Sequence, residues 1–185
     1  MRIISGSMRG TKLYTLEGEN TRPTLDRVKE ALFSKISEKL YESVVLDLFA
    51  GSGALGIESL SRGAKKAVLC DSSREAIKII NQNISKTKTE ENIILYNCDF
   101  KKALQSIKDN GMKFDIVFLD PPYKTNYAVD SVKIIMDSDL LQDDGIIIIE
   151  TDDKNRVIDN LDKEIINLYD IKQYGRVNLL FLNKE

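Results

Sequence analysis

The sequence contains no histidine and only two cysteines, Cys70 and Cys98. Histidine is the side chain used most often as a general base or a metal ligand, so its absence removes the commonest means of both. Two cysteines are too few for a disulfide framework or a zinc cluster. Both lie in or beside apolar runs, which predicts reduced, packed thiols. Any chemistry must therefore use other groups or a cofactor, and we predict no bound metal.

Long apolar runs and an excess of one charge are also missing. No stretch approaches the roughly 18 residues that a membrane helix needs, and the opening MRIISGSMRG is too short and too polar for a signal peptide. We therefore expect a cytoplasmic protein with no membrane partner. The net charge is −2 and the isoelectric point is about 5.4. That balance does not indicate nucleic-acid binding, although it can conceal a local basic patch.

The length of 185 residues and the apolar share of 42% suit one compact domain. We expect a single domain over 1–185, made of an N-terminal hairpin over 1–20, a leading helix over 21–42 and a core over 43–185. Three cations precede the first acid, and the SMRG turn predicts the hairpin. Thr24 is a plausible N-cap for the leading helix, which is predicted from apolar residues at helical spacing: Leu25, Val28, Leu32, Ile36 and Leu40.

The core alternates short apolar runs with helical patterns. The strand candidates are VVLDLF, KAVLCD, IILYN, DIVFLD and GIIIIE. Near-continuous apolar strands in such an alternation predict an α/β fold, with a parallel sheet covered by helices on both faces. The last two apolar runs have only Gly175 near their junction. They predict an antiparallel hairpin that closes one edge of the sheet.

A glycine loop follows the first strand of the core. Gly51, Gly53 and Gly56 form G-x-G-x-x-G, which alone is a weak signal for a nucleotide. Ligands of open α/β sheets bind beyond the carboxyl ends of the strands. Asp47 lies just before the loop, where its carboxylate would repel a pyrophosphate and would favour an ammonium or sulfonium group. S-adenosylmethionine carries both groups and no phosphate, so we predict it as the cofactor.

The next two strands also end in acids. Asp71 can accept hydrogen bonds from ribose hydroxyls, can cap a helix, or can do both. Asp99 can accept from the amino group of adenine, and Phe100 can pack on its ring. These acids and the loop follow three successive strands, which is where one extended adenosyl ligand would lie.

The segment FDIVFLDPPYKTNY ends a core strand with Asp120, Pro121, Pro122 and Tyr123. Together, DLFAGSG and DPPY resemble the amino-methyltransferase branch of the S-adenosylmethionine-dependent methyltransferases. That resemblance implies a Rossmann-like seven-stranded sheet with an antiparallel last strand. A carboxylate and a proline-fixed carbonyl can accept both N–H groups of a base amine, and Tyr123 can stack on the unstacked base. A rigid turn with Tyr123 as packing is the alternative interpretation.

The resemblance extends along the chain. MRIISGSMRGTKL, TRPTLDRVKEALFSKI, VLDLFAGSGALGIESLSRGAKKAVLCD and FDIVFLDPPY occur in the order seen in the bacterial small-subunit (16S) ribosomal RNA guanine-N2 methyltransferase family. The resemblance implies a target-amine site at Asp120–Tyr123. It implies a cofactor pocket that contains Arg22, Thr24, Asp47, Phe49, Gly51, Ser52, Gly53, Asp71, Asp99 and Phe100. It also implies RNA contacts by Arg2, Arg9, Lys12 and Arg27.

The implied substrate is small-subunit ribosomal RNA, either free or in a 30S particle, and we expect a monomer. Four other functions stay open. An adenine-N6 methyltransferase shares D-P-P-Y, but the chain shows no obvious target-recognition insert. A glutamine methyltransferase typically carries N-P-P-Y. An NAD-dependent dehydrogenase leaves Asp47 and D-P-P-Y unexplained, and a non-catalytic RNA-binding protein would bind without transferring a methyl group.

Overall fold

A seven-stranded sheet forms the centre of the protein. The computed structural model describes residues 1–16, 23–122 and 125–185, without the side chains of 23–25. The strands are β1 Val44–Asp47, β2 Lys66–Asp71, β3 Ile93–Asn97, β4 Phe114–Leu119, β5 Leu141–Thr151, β6 Ile166–Tyr174 and β7 Val177–Lys184. Their order across the sheet is β3-β2-β1-β4-β5-β7-β6, and only β7 runs against the others. The predicted mostly parallel sheet and its closing hairpin are confirmed.

Helices cover both faces of the sheet, also as predicted. The helices are α1 Pro23–Lys35, α2 Ser37–Leu40, α3 Ala54–Ser61, α4 Arg74–Thr87, α5 Phe100–Asp109, α6 Tyr127–Asp137 and α7 Lys154–Asn160. Alternate strand residues point to opposite faces, so Val45 packs with α1 to α4 and Leu46 packs with α5 to α7. Both faces are therefore buried, which explains the near-continuous apolar strands.

The leading helix differs from its prediction in two ways. It begins at Pro23 rather than after Thr24, since proline suits the first turn of a helix, where its missing N–H is not needed. It also breaks at Ile36, whose backbone (φ −100°, ψ 10°) leaves the helical region between α1 and α2. The apolar spacing nevertheless holds across the break, because Leu32, Ile36 and Leu40 are all buried.

Within residues 1–16, the predicted hairpin is reduced to one antiparallel bridge, between Arg2 and Lys12. Ile3 N–H donates to the Thr11 carbonyl at 3.0 Å, and the remainder of the predicted hairpin, residues 17–20, lies outside the described residues. Gly6 adopts φ +88°, and a Cβ there would come within 1.7 Å of the Ser61 carbonyl oxygen. Only glycine therefore lets the N-terminal segment (residues 1–16) lie this close to α3.

A buried ionic cluster fastens the N-terminal segment and α1 to α3. The unexposed Glu58 carboxylate accepts from the N–H groups of Ile4 at 2.8 Å and Ser5 at 3.0 Å. It also pairs with Lys29 Nζ at 3.2 Å and Arg62 Nε at 2.8 Å. Burial lowers the pKa of Lys29, and the nearby Glu58 carboxylate partly offsets that shift. Removing either charge would leave the other buried without a full partner.

We predict that Glu58→Gln lowers the free energy of unfolding by about 3 kcal/mol, because it leaves the buried Lys29 ammonium uncompensated. Glu91 is exposed, so Glu91→Gln is the matched control and should change stability by less than about 0.5 kcal/mol. Urea unfolding of both variants measures the difference. Equal effects would contradict the importance of this cluster.

Candidate active site at the carboxyl edge of the sheet

Four acids from the sequence analysis gather at one edge of the sheet. Asp47 and Asp71 are the last residues of β1 and β2, Asp99 follows β3, and Asp120 follows β4. Pairing of Asp47 with Leu69 on one side and with Phe118 on the other makes β1 the centre of this edge. The four acids therefore line one rim, as the alternating pattern predicts.

The loop between β1 and α3 is held by side chains from three elements. Gly51 (φ +55°) and Gly53 (φ +77°) take the left-handed conformation, and Gly51 N–H donates to Asp71 Oδ2 at 2.9 Å. In the first turn of α3, directly after the loop, Gly56 N–H donates to Asp47 Oδ2 at 3.2 Å. On the far side, the buried Asn83 Nδ2 of α4 donates to the Ser52 carbonyl at 2.9 Å. The loop is thus fixed by its backbone, while the Ser52 side chain is buried.

Asp47 lies beneath this loop and is only 2% exposed. Burial raises the pKa of its carboxyl from 3.8 to about 7, the Gly56 hydrogen bond opposes the rise, and the nearby Asp71 charge adds to it. Near neutral pH, the folded protein therefore holds Asp47 partly protonated. A cationic ligand group beside Asp47 would favour the ionised form.

Asp71 and Asp99 each accept a hydrogen bond from a nearby backbone N–H group. Asp71 Oδ1 accepts from Ser73 N–H at 2.8 Å, while Ser73 itself caps α4. Asp99 is the N-cap of α5 and accepts from Lys101 N–H at 2.9 Å. A carboxylate oxygen has two lone pairs, so these bonds leave acceptor capacity for ligand hydroxyl or amino groups.

Three aromatic rings meet beside Asp99. The Phe49 and Phe100 centroids are 5.4 Å apart, and Tyr127, the first residue of α6, lies 5.0 Å from Phe100. Tyr127 also stacks on Phe49 at 6.3 Å with an interplanar angle of 7°. Phe100 is buried and Tyr127 is 39% exposed, so the outer surface of this aromatic cluster is presented by Tyr127. Sequence analysis missed Tyr127 because nothing in its local pattern distinguishes it from a helix-start residue.

The end of β4 presents an exposed carboxylate. Leu119 is buried and Asp120 is exposed, Pro121 is again buried, and the exposed Pro122 accepts a hydrogen bond through its carbonyl from Thr125 Oγ1 at 2.8 Å. This stiff turn holds Asp120 at the rim beside the glycine loop. Tyr123 and Arg22 lie outside the described residues, and Thr24 is described only as a backbone position in α1.

A second carboxylate stands next to Asp120. Leu119 of β4 pairs with Ile149 of β5, so Glu150 is one step beyond that pair, as Asp120 is. Burial raises the pKa of Glu150 above its ordinary value. Glu150 could not be predicted from the sequence, because the apolar run GIIIIE indicates a strand but does not show that this strand pairs with β4.

The cations predicted to bind RNA lie on the N-terminal segment and α1. Arg2, Arg9 and Arg27 line one surface cleft of about 390 Å³, together with Asp26 and Glu30. Arg2 pairs with Asp26 at 3.4 Å but is still 64% exposed. Lys12, the bridge partner of Arg2, is exposed as well. The structure thus brings three of the four predicted cations into one cleft.

The cysteine prediction is confirmed, since both thiols are free. Cys70 is fully buried, and burial raises the pKa of its thiol far above its usual range. Within residues 1–16, 23–122 and 125–185, no three metal-binding side chains are grouped as a metal site would need. In the same ranges, no helix is long and apolar enough to span a membrane.

The raised pKa of Asp47 predicts how stability depends on pH. Between its ordinary value of 3.8 and about 7, the folded protein keeps a proton that the unfolded chain releases. The ligand-free protein should therefore lose stability as pH rises through this window, by a few kcal/mol from this group. Asp47→Asn should remove that part of the loss in urea unfolding at pH 5 and pH 8. An unchanged difference between the two pH values would contradict it.

Comparison with known proteins identifies the family. The family described as "Conserved hypothetical protein 95" matches residues 1–183. Ribosomal RNA small subunit methyltransferase D of Haemophilus influenzae is 38% identical over 82% of this chain and 79% of its own. The same-named protein of Escherichia coli K12 is 33% identical over 84% of this chain and 76% of its own.

A solved Escherichia coli structure, provisionally described as methyltransferase yhhF, superposes with a TM-score of 0.83 at 28% identity and covers 100% of this chain and 98% of its own. The chain therefore belongs to the ribosomal RNA small subunit methyltransferase D family, within the S-adenosylmethionine-dependent methyltransferases.

Proposed function

We propose that this protein transfers a methyl group to the exocyclic N2 amine of a guanine in small-subunit (16S) ribosomal RNA, within an assembled or assembling 30S particle. The observation that carries the proposal is the exposed Asp120 at the end of β4, next to β1 and its glycine loop. An acceptor for the amine and a pocket for the methyl donor then share one rim. The names of the Haemophilus and Escherichia relatives support ribosomal RNA as the substrate.

The cofactor is S-adenosylmethionine, and the rim fits it. The left-handed Gly51 and Gly53 let the backbone approach a ligand closely. Asp47 would face the ammonium end, Asp71 the ribose hydroxyls, and Asp99 the adenine, whose ring would lie against the aromatic cluster that Phe100 forms with Phe49 and Tyr127. When bound, this cofactor supplies a methyl group on a positively charged sulfonium.

Asp120 and the carbonyl of Pro121 act on the nucleophile. The lone pair of the N2 amine is delocalised into the guanine ring, which makes the nitrogen a poor nucleophile. Two acceptors that bind its N–H groups favour the pyramidal form, in which the lone pair points at the methyl carbon. The bound cofactor would give up its methyl group, with an N–C bond formed in place of the C–S bond, and Asp120 or water would accept the surplus proton of the amine. Holding the two reacting atoms in line supplies most of the rate.

Guanine suits this acceptor pair better than adenine does. Guanine presents N1–H and N2–H donors along one edge, so one carboxylate can accept from both. Adenine presents an acceptor at N1, which a carboxylate repels. Because adenine-N6 enzymes also use D-P-P-Y, this preference supports the proposal without excluding adenine.

The cleft lined by Arg2, Arg9 and Arg27 would bind the RNA backbone. Its guanidinium groups suit phosphate oxygens, whereas Asp26 and Glu30 limit the net charge. A modest local positive charge on a chain of net charge −2 fits a substrate that ribosomal proteins help to present. A transfer assay that compares 30S particles with free RNA as methyl acceptors tests whether ribosomal proteins help to present the substrate.

The first test is transfer of labelled methyl to 30S particles and to free 16S RNA from cells that lack the endogenous enzyme. We expect label in N2-methylguanosine. Asp120→Ala should lower the rate at least about a hundredfold while the affinity for the cofactor changes little, because Asp120 faces the amine and not the adenosyl group. Asp152 is an exposed carboxylate just after β5, and Asp152→Ala is the matched control.

Label in N6-methyladenosine would keep the chemistry and overturn the assignment of the base. No label in either RNA, with tight cofactor binding, would overturn the RNA substrate. Loss of cofactor binding in Asp120→Ala would overturn the role given to Asp120.

The arginine cleft gives a second test. We expect Arg9→Gln and Arg27→Gln each to weaken RNA binding and to flatten its dependence on salt by about 0.7 in the log–log slope, since each removes one phosphate contact. Lys163 is exposed and lies just before β6, the outermost strand at one side of the sheet. Lys163→Gln is therefore the matched control. Filter binding at salt concentrations from about 50 to about 200 mM measures how steeply RNA binding depends on salt in each variant. Equal slopes in all three variants would contradict the cleft as the RNA site.

A further inference from the structure

We propose that Asn83 is a positioning residue that couples the N-terminal segment to the cofactor loop, so that RNA binding and cofactor binding strengthen each other. The inference rests on the proposed function in one respect, namely that the N-terminal segment contacts RNA. Asn83 belongs to α4 and contacts neither the target amine nor the arginine cleft in the proposed arrangement.

One buried side chain touches both parts. Asn83 is unexposed, and its Oδ1 accepts from Tyr14 N–H at 2.8 Å. Its Nδ2 donates to the Tyr14 carbonyl at 2.9 Å and to the Ser52 carbonyl at 2.9 Å. Both N–H groups and the carbonyl of the amide are thereby used, which fixes its orientation. A shift of Tyr14 must therefore either break its buried hydrogen bonds to Asn83, or move Asn83 and with it the hydrogen bond to the Ser52 carbonyl.

Ser52 is the point of the loop at which such a shift matters. It lies between Gly51 and Gly53, both in the left-handed conformation, so its peptide groups line the turn that would face the cofactor. Asp71 holds the preceding N–H, at Gly51, and Asp47 holds Gly56. The Ser52 carbonyl is held from the N-terminal side through Asn83.

Arg2 of the N-terminal segment contacts Asp26 and Lys29 of α1, and other attachments of the segment run to α3, the helix that this loop begins. Ile4 and Ser5 bind Glu58 of α3. Ser61, at the end of α3, accepts from Met8 N–H through Oγ at 3.0 Å and donates to the Ser5 carbonyl at 2.6 Å. The segment is therefore clamped to both helices that flank the loop in space, and Asn83 is the clamp that reaches the loop itself.

Coupling follows from the energetics of ordering. RNA bound to Arg2 and Arg9 would restrain the segment and, through Asn83, the Ser52 carbonyl. Cofactor binding would then order less of the loop and would be correspondingly tighter. Linkage requires the reverse effect to be equal, so that cofactor binding tightens RNA binding by the same factor.

The test compares dissociation constants for S-adenosylhomocysteine, the demethylated form of the cofactor, with and without saturating 30S particles. Equilibrium dialysis at a temperature well below the melting transition gives both values. For the wild type we expect about fivefold tighter binding with particles. In Asn83→Ala the ratio should fall to about one. Asn81 is on the same helix, exposed, and bonded only to the Ile77 carbonyl among described contacts, so Asn81→Ala should keep the wild-type ratio.

A second measurement needs neither RNA nor a variant. S-adenosylhomocysteine should slow amide hydrogen exchange in residues 3–14 of the wild type, where the amides of Ile4 and Ser5 are bonded to Glu58, that of Met8 to Ser61 and that of Tyr14 to Asn83. The β6–β7 turn at Gly175 serves as the internal reference.

Each outcome decides the matter. Unchanged exchange in residues 3–14, or an unchanged ratio in a folded Asn83→Ala protein, would overturn the coupling even if guanine is methylated. If the alanine variant does not fold, the exchange measurement alone decides. Failure of the wild type to methylate RNA, with exchange slowed by the cofactor analogue, would overturn the proposed function and leave the mechanical link between segment and loop standing.

Discussion

The site depends on how the loop after β1 satisfies its backbone. Two left-handed glycines interrupt regular hydrogen bonding in the loop, and the first N–H groups of the following α3 have no partner within the helix, so these groups need side-chain partners. Asp71 binds Gly51 N–H, Asp47 binds Gly56 N–H, and Asn83 binds the Ser52 carbonyl. These three side chains come from β2, β1 and α4, so the loop has its shape only when the sheet and its covering helices are assembled. The residues that would bind the cofactor are therefore also residues that build its pocket.

The sheet could be predicted from sequence because its signal is local. Each strand is a short apolar run, and the run KAVLCD coincides with β2. Burial on both faces leaves no alternation to mislead the assignment. The shared edge of Asp47, Asp71, Asp99 and Asp120 could be predicted for the same reason, since parallel strands bring their carboxyl ends together. The family resemblance supplied roles that the residues alone do not, and these roles remain predictions for every residue of the site; Arg22 and Tyr123 also lie outside the described residues.

Long-range partners could not be predicted from sequence. Glu58 reads as an ordinary helix residue, yet it is unexposed and binds Ile4 from 54 positions away. Asn83 sits in a polar helix pattern, and its partners Tyr14 and Ser52 belong to other elements. Tyr127 and Glu150 gain interest only from their neighbours across the rim. In each case the residue type is common and the environment is specific, and only the folded chain shows the environment.

The close approach of Gly6 to Ser61 bears on how mutations in this protein would be sorted. Any side chain at position 6 would press on the last turn of α3, because its Cβ would meet the Ser61 carbonyl at 1.7 Å. The disturbance would travel along the helix that begins at the cofactor loop. In a genetic screen, alleles at this glycine would then fall into the same phenotypic class as alleles of the loop itself. Residues far apart in the sequence would then produce the same kind of defect, because one rigid helix joins them.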